Sequence, residues 1–197
     1  MTLTIAYFPP IEYFALLARY SSVYMEACEN YQKQSYRNRC RICTASGAEN
    51  LNFPIVHSGG SISIPIREVL VDWSTPWLAK TKRCIDSAYH SSPFFDYYRD
   101  SLYALLDTRP ATLWDLDMGI IRYFMQKIGL NTEILCTTEY AADHVDIHPK
   151  RPDSILEELG LARPYYQVFS EKFGFIPNLS VMDLLFNEGP ASLDYLR

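Results

Sequence analysis

The stretch LTIAYFPPIEYFALLARYSSVYM, residues 3–25, decides the fold class. LTIAYF at residues 3–8 is rich in apolar and strand-forming residues, which indicates a strand that Pro9 and Pro10 end. Apolar residues then recur at helical spacing, and VYM at residues 23–25 indicates a second strand. A strand, a helix and a strand in this order make up the basic unit of an α/β fold with a parallel sheet.

Beyond this opening, the chain divides into an extended middle part and a helical remainder. Three segments are predicted as further strands, at 41–44, 51–56 and 62–71. The turn sequence SGGS at residues 58–61 suits a hairpin between the last two of these strands. Since Pro54 and Pro65 cannot donate a backbone hydrogen bond to a ladder, these strands are expected at an edge of a sheet.

Helical periodicity dominates the second half of the sequence. Long helices are predicted at 78–89, 95–106 and 113–128, and shorter ones after Ser154, around 166–173 and after Ser180. The signal is strongest in the third helix, where Thr112 and Asp115 form a capping-box pattern and Gly129 stands at the C-terminal cap. The segment EILCT, residues 133–137, predicts one short strand among these helices.

The overall composition is that of one water-soluble domain covering residues 1–197. Aromatic residues make up 14% of the chain and the net charge is −5, so a core rich in rings is expected and a duplex nucleic-acid partner is not. The sequence predicts neither a signal peptide nor a membrane span. An odd number of cysteines, five, suits reduced thiols, and we therefore expect a cytoplasmic protein.

Two small clusters contain residue types that bind metals or carry redox chemistry. Cys40 and Cys43 form a lone CxxC pattern, which is more typical of partly buried thiols on a strand. His144, Asp146 and His148 would share one face of a strand and suit a divalent metal, as in a metal-dependent hydrolase. Because no further ligand set is evident, the sequence predicts no metal site. The sequence does not identify a cofactor, since it lacks the P-loop and GxGxxG patterns of nucleotide binding. It also lacks the GxSxG pattern of a nucleophilic serine.

A basic segment, YQKQSYRNRCR at residues 31–41, opposes the acidic charge of the whole chain. Arg37, Arg39 and Arg41 would share one face of an extended strand, and guanidinium groups bind phosphate or carboxylate with two parallel hydrogen bonds. A tyrosine beside them can stack on a base or a sugar. The segment therefore predicts an anion site. The alternative is a solvated edge strand whose charges prevent association with another sheet.

The tail FGFIPNLSVMDLLFNEGP, residues 173–190, places polar residues within an apolar run. A carboxyl group in so apolar a setting should have a raised pKa, which makes Asp183 the candidate general base. A helix N-terminus near Ser180 could also receive an anion. The alternative is that Ser180 caps the helix, Leu179 packs against it and Gly189 ends it, which requires no function in the tail.

Four segments carry a family resemblance: IAYFPPIEYF (5–14), YQKQSYRNRCRI (31–42), SAYHSSPFF (87–95) and NLSVMDLLFNEGP (178–190). In this order, and spread over nearly the whole chain, they resemble the WbqC-like family of bacteria. The second and fourth segments are the more specific ones. Members often belong to gene clusters for surface polysaccharide (O-antigen), so the resemblance implies work on activated sugars. It also suggests the transfer of a small acyl or aminoacyl group.

The resemblance extends to individual positions. The matching residues are Tyr7, Pro9, Tyr13, Phe14, Gln32, Lys33, Arg37, Asn38, Arg39, Asn178, Ser180, Asp183 and Asn187. The chain departs from the family at Glu12, where the family usually has Gly, and at Thr81, where it often has His. Any role of these two positions is therefore not carried over from the family.

A looser likeness connects the opening of the chain to nucleotidyltransferases of the HxGH type. Ile11 and Tyr13 stand in the places nearest to the two histidines of that pattern, so adenylyl transfer by its mechanism is not expected. The likeness favours a Rossmann-like sheet, although fold analogy is a weak guide to function. We therefore expect an α/β fold, with a Rossmann-like mixed sheet, flanking helices and a helical C-terminal half.

The resulting hypothesis is a transferase of surface-polysaccharide or nucleotide-sugar metabolism that acts on a phosphorylated small molecule. The residues expected to bind the substrate or its anion are Lys33, Arg37, Arg39, Tyr31, Tyr36 and Asn187. Those expected to act in catalysis are Asp183, as the base, with Asn178 and Asn38, which would orient polar groups. Arg37→Ala and Arg39→Ala are expected to abolish nucleotide-sugar binding while leaving the melting temperature nearly unchanged.

The alternative hypothesis is a binding protein without catalysis, within a complex for polysaccharide biosynthesis. It predicts an exposed aromatic patch, formed by Tyr97, Tyr98 and Tyr103. Both hypotheses are compatible with a homo-oligomer. The sequence does not identify the donor or the acceptor.

Overall fold

A computed structural model describes residues 1–56, 63–150 and 154–197 of the chain. The strands are β1 (Thr2–Leu3), β2 (Ser22–Met25), β3 (Arg39–Thr44), β4 (Gly47–Asn52) and β5 (Glu133–Cys136). The helices are α1 (Ile11–Leu17), α2 (Trp77–Tyr89), α3 (Phe95–Asp107), α4 (Leu113–Ile128), α5 (Ile155–Glu158), α6 (Ser170–Phe173) and α7 (Val181–Glu188). Two 3-10 helices, Ile66–Glu68 and Gly189–Tyr195, complete the described elements. The predicted α/β class is confirmed.

The central sheet is parallel and has the strand order β1-β2-β5. On its other side, β1 makes a parallel bridge from Leu3 to Val145. This bridge is supported by two backbone hydrogen bonds, from Val145 N–H to the Thr2 carbonyl (2.8 Å) and from Thr4 N–H to the Val145 carbonyl (3.3 Å). Strand β1 therefore lies inside the sheet, between β2 and the segment around Val145.

The predicted strand–helix–strand opening is confirmed by β1, α1 and β2. Pro10, in an extended conformation with φ −66°, precedes the first residue of α1. Every residue of α1 is buried, and the helix connects two parallel neighbouring strands. The helix begins against the C-terminal part of the chain, because the Ile11 N–H donates to the Leu179 carbonyl (3.0 Å).

Helix α4 confirms the most detailed of the helix predictions. The Thr112 hydroxyl oxygen accepts the Asp115 N–H (3.1 Å) and donates to the Asp115 carboxylate. Gly129 ends the helix in the left-handed conformation, with φ 85°, which a residue without a side chain adopts without strain. The helix is buried on more than one face, and this brings the carboxyl group of Asp117 into the interior.

The predicted strand at 62–71 is wrong over its described part. Residues 66–68 form a 3-10 helix, and the extended contacts are limited to single bridges such as Ile55 to Val71. Pro65, which lacks a backbone N–H, precedes this helix and interrupts any ladder. The predicted hairpin turn at 58–61 lies outside the described residues. Among the described residues, β3 and β4 form an antiparallel hairpin earlier in the chain.

The first strand is shorter than the predicted run of residues 3–8. β2 ends at Met25, so the chain beyond Leu3 has no further ladder partner on that side. Tyr7 donates its N–H to the Tyr36 carbonyl (2.8 Å) instead. Phe8 then adopts a positive φ of 42°, which turns the chain toward Pro9 and Pro10.

The core is built largely from aromatic rings, as the composition predicts. Phe124 of α4 lies edge-on to Phe8 and Phe14, with ring centroids 5.9 and 6.3 Å apart. Phe186 of α7 packs in the same way against Tyr89 and Phe95, at 5.2 Å each. In the part of the chain that is described, no helix is both long enough and apolar enough to cross a membrane.

Candidate functional site

Arg37 lies in the turn before β3 and is buried, with a side-chain exposure of 1%. Its Nε donates to one oxygen of Glu29 (2.7 Å), its Nη2 donates to the other (2.5 Å), and its Nη1 donates to Asp146 (3.2 Å). Burial lowers the pKa of the guanidinium, but the two carboxylates more than offset this and the net shift is upward. We name Glu29, Arg37 and Asp146 the arginine cluster.

The arginine cluster joins three parts of the chain at the carboxyl edge of the parallel sheet. Glu29 follows the end of β2, and Asp146 follows the residue that bridges to β1. The Asp146 carboxylate also accepts a weak hydrogen bond from the Thr4 hydroxyl (3.4 Å), directly after β1. The carboxyl ends of parallel strands meet at one edge, so these side chains converge although they are far apart in sequence.

Asp117 of α4 has no exposed surface and lies within electrostatic range of Arg37. Neither of its carboxylate oxygens has a hydrogen-bond partner among the described residues. Burial raises its pKa well above the usual range, and Arg37, which is near enough to interact, opposes this only in part. Asp117 is therefore a buried acid that favours its protonated form, and the described residues leave both of its oxygens without a hydrogen bond.

Tyr7 brings a second unpartnered polar group to the same region. Its hydroxyl is fully buried and forms no hydrogen bond of good geometry with a described residue, although Thr81 is close to it. Burial, and then the neighbouring Cys40 and Asp117, raise the pKa of this hydroxyl well above its usual range. The position where the family often has His, Thr81, is therefore next to the candidate site.

The other residues of the basic segment differ in their exposure and in their contacts. Arg39 is half-buried at the start of β3, and its Nε has no hydrogen-bond partner among the described residues. Lys33 is exposed, and Tyr31 is half-buried, with a pKa that burial raises. The Asn38 amide nitrogen donates to the Phe53 carbonyl (3.0 Å). Only Arg39 and Arg41 share a strand face, because Arg37 precedes β3 and points inward.

Asp183 belongs to a different, fully buried network in the C-terminal part. One oxygen accepts hydrogen bonds from the Tyr165 hydroxyl (2.5 Å) and the Gln167 amide (3.2 Å). Burial raises the pKa of Asp183 to about 6, although hydrogen bonds from Tyr165, Tyr89 and Gln167 lower it. The raised pKa confirms the physical expectation for this carboxyl group, but its oxygen is already occupied by protein donors.

Asn178 and Asn187 serve the packing of two helices. The Asn178 side-chain oxygen accepts the Glu12 N–H (3.0 Å) in the first turn of α1. Asn187 donates to the Asp183 carbonyl (2.8 Å), one turn earlier in α7. Ser180 caps α7 by accepting the Met182 N–H (3.3 Å). These contacts agree with the structural alternative for the tail.

The basic segment and the tail meet through their backbones. The Ser180 N–H donates to the Arg41 carbonyl (2.8 Å), so α7 begins against β3. The side chains nevertheless divide into two networks. Arg37 bonds to Glu29 and Asp146, and Asp183 bonds to Tyr165 and Gln167. No hydrogen bond or ion pair identified between the described residues joins the two networks.

The three residues of the metal alternative have separate partners. The His144 Nδ1 lies 2.6 Å from the Ala141 carbonyl, Asp146 holds Arg37, and the His148 Nδ1 accepts the Lys150 N–H. Among residues 1–56, 63–150 and 154–197, no group of three or more His, Cys, Asp or Glu is arranged to hold a metal ion. The structure therefore offers no support for a metal-dependent hydrolase within these ranges.

The two cysteines of the CxxC pattern lie on β3 as buried thiols. Burial raises the pKa of both Cys40 and Cys43, which disfavours the reactive thiolate. The tyrosines of the aromatic-patch alternative differ in their exposure, although the rings of Tyr97 and Tyr98 are in contact, with centroids 4.8 Å apart. Tyr97 is 78% exposed, Tyr98 is buried, and the Tyr103 hydroxyl donates to Asp86.

Sequence reasoning missed Glu29, Asp117 and Tyr7 as site residues. Asp117 carried a usable signal, because it lies one turn after Leu113 and one residue after Leu116, on the apolar side of the helix. A carboxyl group at such a position needs a partner or a function. Glu29 carried no comparable signal, since its pairing with Arg37 depends on the turn between them.

Removing the guanidinium of Arg37 should destabilise the protein strongly. We expect Arg37→Met to lower the free energy of unfolding by about 3–5 kcal/mol, because Glu29 and Asp146 are left as buried carboxylates without a cation. This replaces the sequence-based expectation of a nearly unchanged melting temperature. Urea denaturation measures the effect, with Arg39→Met as the matched control on the same segment. Equal stability of Arg37→Met and the wild type would contradict the ion-paired arrangement.

The raised pKa of Asp183 predicts a pH dependence of stability. Because its pKa in the folded state is about 6, above the ordinary 3.8, its contribution is fully present below about pH 4 and is lost as the pH rises to about 6. Asp183→Asn should remove this loss. The difference in unfolding free energy between variant and wild type should therefore change by about 3 kcal/mol between pH 4 and pH 7.

Denaturation at a series of pH values tests this dependence, with Asp143→Asn, an exposed position, as the control. A pH-independent difference between Asp183→Asn and the wild type would show that burial does not perturb this carboxyl group.

Comparison with known proteins is consistent with the resemblance seen in the sequence. The family model described as WbqC-like protein family matches residues 6–160. The uncharacterized protein Rv1507c of Mycobacterium tuberculosis is 27% identical, over 97% of this chain and 94% of that protein. No solved structure matches the chain. The matched range includes the arginine cluster and Asp117, and the chain belongs to the WbqC-like protein family.

Proposed function

We propose that the chain is a transferase of bacterial surface-polysaccharide or nucleotide-sugar metabolism that acts on a phosphorylated or sugar-nucleotide substrate. One observation carries the proposal. At the carboxyl edge of the parallel sheet, an ion-paired arginine lies within electrostatic range of a buried acid, Asp117, whose two oxygens have no partner among the described residues. Unpartnered buried polar groups are rare in proteins, and their concentration at one place favours a ligand site.

The strand arrangement supports a Rossmann-like reading of the sheet. From β1 the chain continues to β2 and then to β5 on one side, and it returns to the other side of β1 at Val145. In open parallel sheets, ligands bind outside the carboxyl ends of the strands where the strand order reverses. Here that point lies between β1 and Val145, where Asp146 holds Arg37.

The basic segment supports an anionic substrate. Since the three nitrogens of Arg37 all donate to carboxylates, its role is to position Glu29 and Asp146 and to add charge to the site. Direct contact with a phosphate falls to Arg39, which is half-buried at the start of β3, and to the exposed Lys33. Tyr31, half-buried beside them, can stack on a base or a sugar ring.

The chemistry of the proposed transfer needs a group that moves a proton. A protonated Asp117 can donate its proton to the oxygen of a leaving group, or accept one when it is ionised. Asp183, the candidate from the sequence, has the more suitable pKa of about 6 but is bonded to Tyr165 and Gln167. We therefore assign the proton transfer to Asp117 and a packing role to Asp183.

Loss of the anion contacts should weaken substrate binding without unfolding the protein. For a sugar nucleotide bound by the wild type, from a panel of UDP-, dTDP- and GDP-sugars, we expect Lys33→Gln and Arg39→Gln each to lower the affinity about tenfold. Calorimetry at low ionic strength measures this. Lys80→Gln, on the exposed side of α2, serves as the control. A panel with no binder, or unchanged affinity in both variants, would contradict the proposed substrate class.

Measurement of turnover distinguishes whether Asp117 or Asp183 transfers the proton. We expect Asp117→Asn to reduce kcat by about 10²–10⁴, because a general acid or base is lost, while substrate affinity and melting temperature stay close to those of the wild type. Asp183→Asn, the matched control, should retain turnover. The opposite pattern would assign the chemistry to Asp183. Binding without turnover in the wild type would favour the alternative, a binding protein without catalysis.

A further inference from the structure

The half-buried imidazole of His144 belongs to the same extended segment as Asp146 of the arginine cluster. Since Val145 between them bridges to β1, the side chains of His144 and Asp146 point to the same side of the segment. Both of them act on Glu29. The pKa of the Glu29 carboxyl is raised by burial and lowered by its arginine partner, and His144 lowers it further. His144 therefore lies within electrostatic range of the arginine cluster.

The hydrogen bond of His144 to Ala141 determines which of its ring nitrogens can bind a ligand. Nδ1 lies 2.6 Å from the Ala141 carbonyl oxygen, and because a carbonyl oxygen only accepts, Nδ1 must carry a proton. In the neutral ring, Nε2 is then an acceptor. None of the described residues donates to this nitrogen, and it is not buried from solvent. The neutral ring of His144 therefore offers one acceptor to a ligand.

The exposed ring of Tyr140 forms a corner with His144. Tyr140 is 58% exposed, and the two ring centroids lie 5.6 Å apart with an angle of 74° between the ring planes. The loop that carries both rings is held by Glu26, a buried residue directly after β2. The Glu26 carboxylate accepts the Ala141 N–H (2.7 Å) and the Thr137 hydroxyl (3.1 Å). The corner is thus anchored at the carboxyl edge of the parallel sheet.

The two sides of the candidate site differ in charge. Lys33 and Arg39 of the basic segment favour a phosphate. The loop around Tyr140 instead carries the exposed carboxylates of Glu139 and Asp143, which repel a phosphate. A neutral group rich in hydroxyls fits this second side. Its hydroxyls donate to the imidazole acceptor, and the C–H groups on one face of a sugar ring pack against the electron-rich face of an aromatic ring.

We propose that Tyr140 and His144 form a sugar subsite, in which the sugar ring of the substrate packs on Tyr140 and one sugar hydroxyl donates to His144 Nε2. The inference rests on the proposed function, which supplies the sugar nucleotide, and it adds the orientation of that substrate. The phosphates face Lys33 and Arg39, and the sugar faces the loop of residues 137–144. Tyr31, which lies within electrostatic range of Arg39, is left for the base. A nucleoside diphosphate without a sugar leaves the subsite empty.

Comparison of two ligands isolates the sugar subsite from the rest of the candidate site. For a sugar nucleotide that the wild type binds, calorimetry compares its affinity with that of the matching nucleoside diphosphate, at about pH 8, above the ordinary titration range of histidine. We expect His144→Asn to weaken binding of the sugar nucleotide about threefold to tenfold, because one hydrogen bond is lost, and to leave the nucleoside diphosphate unaffected. The asparagine amide keeps a donor for the Ala141 carbonyl, so the loop stays anchored.

A second variant and two controls complete the calorimetric test. Tyr140→Leu removes the ring but keeps an apolar side chain, and it should also weaken the sugar nucleotide alone, about threefold to tenfold. The matched controls are Tyr97→Leu and His90→Asn, at exposed positions outside the subsite, and both should leave the two affinities unchanged. If a subsite variant fails to fold by circular dichroism, the wild type decides. The ¹⁵N resonance of His144 Nε2 should then shift with the sugar nucleotide and not with the nucleoside diphosphate.

The possible failures distinguish the sugar subsite from the proposed function. Unchanged binding of the sugar nucleotide in either folded variant, equal losses for both ligands, or an Nε2 resonance that does not respond to the sugar nucleotide would overturn the subsite. In these cases the wild type still binds a sugar nucleotide, and the proposed substrate class stands. A wild type that binds none of the UDP-, dTDP- and GDP-sugars would overturn both.

Discussion

The buried ion pairs of Arg37 hold the candidate site together. A guanidinium removed from water needs compensation, and here Glu29 and Asp146 supply it from the end of β2 and from the chain beside β1. The contact to Asp146 spans 109 residues of sequence, so the charges tie the early basic segment to the far side of the sheet. The same contacts orient the turn that carries Asn38 and Arg39. The position and the charge of the candidate site therefore depend on the ion pairs of Arg37.

The two buried carboxyl groups of the interior differ in how far the protein satisfies them. Asp183 receives hydrogen bonds from Tyr165 and Gln167, and the network fastens the C-terminal chain to α7. Asp117 has no such donors among the described residues and lies near Arg37 and Tyr7. A satisfied buried network contributes rigidity, whereas an unsatisfied group costs stability unless a ligand completes it. This contrast favours Asp117 as the reactive group.

Local patterns predicted much of the fold correctly. Helical periodicity located α2, α3 and α4 closely, because the spacing of apolar residues is a local property of the chain. The ends of α4 were also predicted, since the Thr112 cap and the Gly129 terminus depend on neighbouring residues alone. The prediction of a strand at 62–71 was wrong for the described residues. Pro65 has no backbone N–H to donate to a ladder, and residues 66–68 form a 3-10 helix despite the apolar pattern. The family was recognised from residues as well, and the matched range confirms it.

The sequence by itself determined the α/β class, the main helices, the family and the residue types of a charged site. Only the tertiary structure decided which of those residues meet. Alternation along a strand suggested that Arg37 shares one face with Arg39 and Arg41, but Arg37 precedes β3 and turns inward to distant carboxylates. Likewise, no local pattern could pair Asp183 with Tyr165 or leave Asp117 beside Arg37. Hydrogen-bond partners far apart in sequence are chosen by packing, and packing is a property of the whole chain.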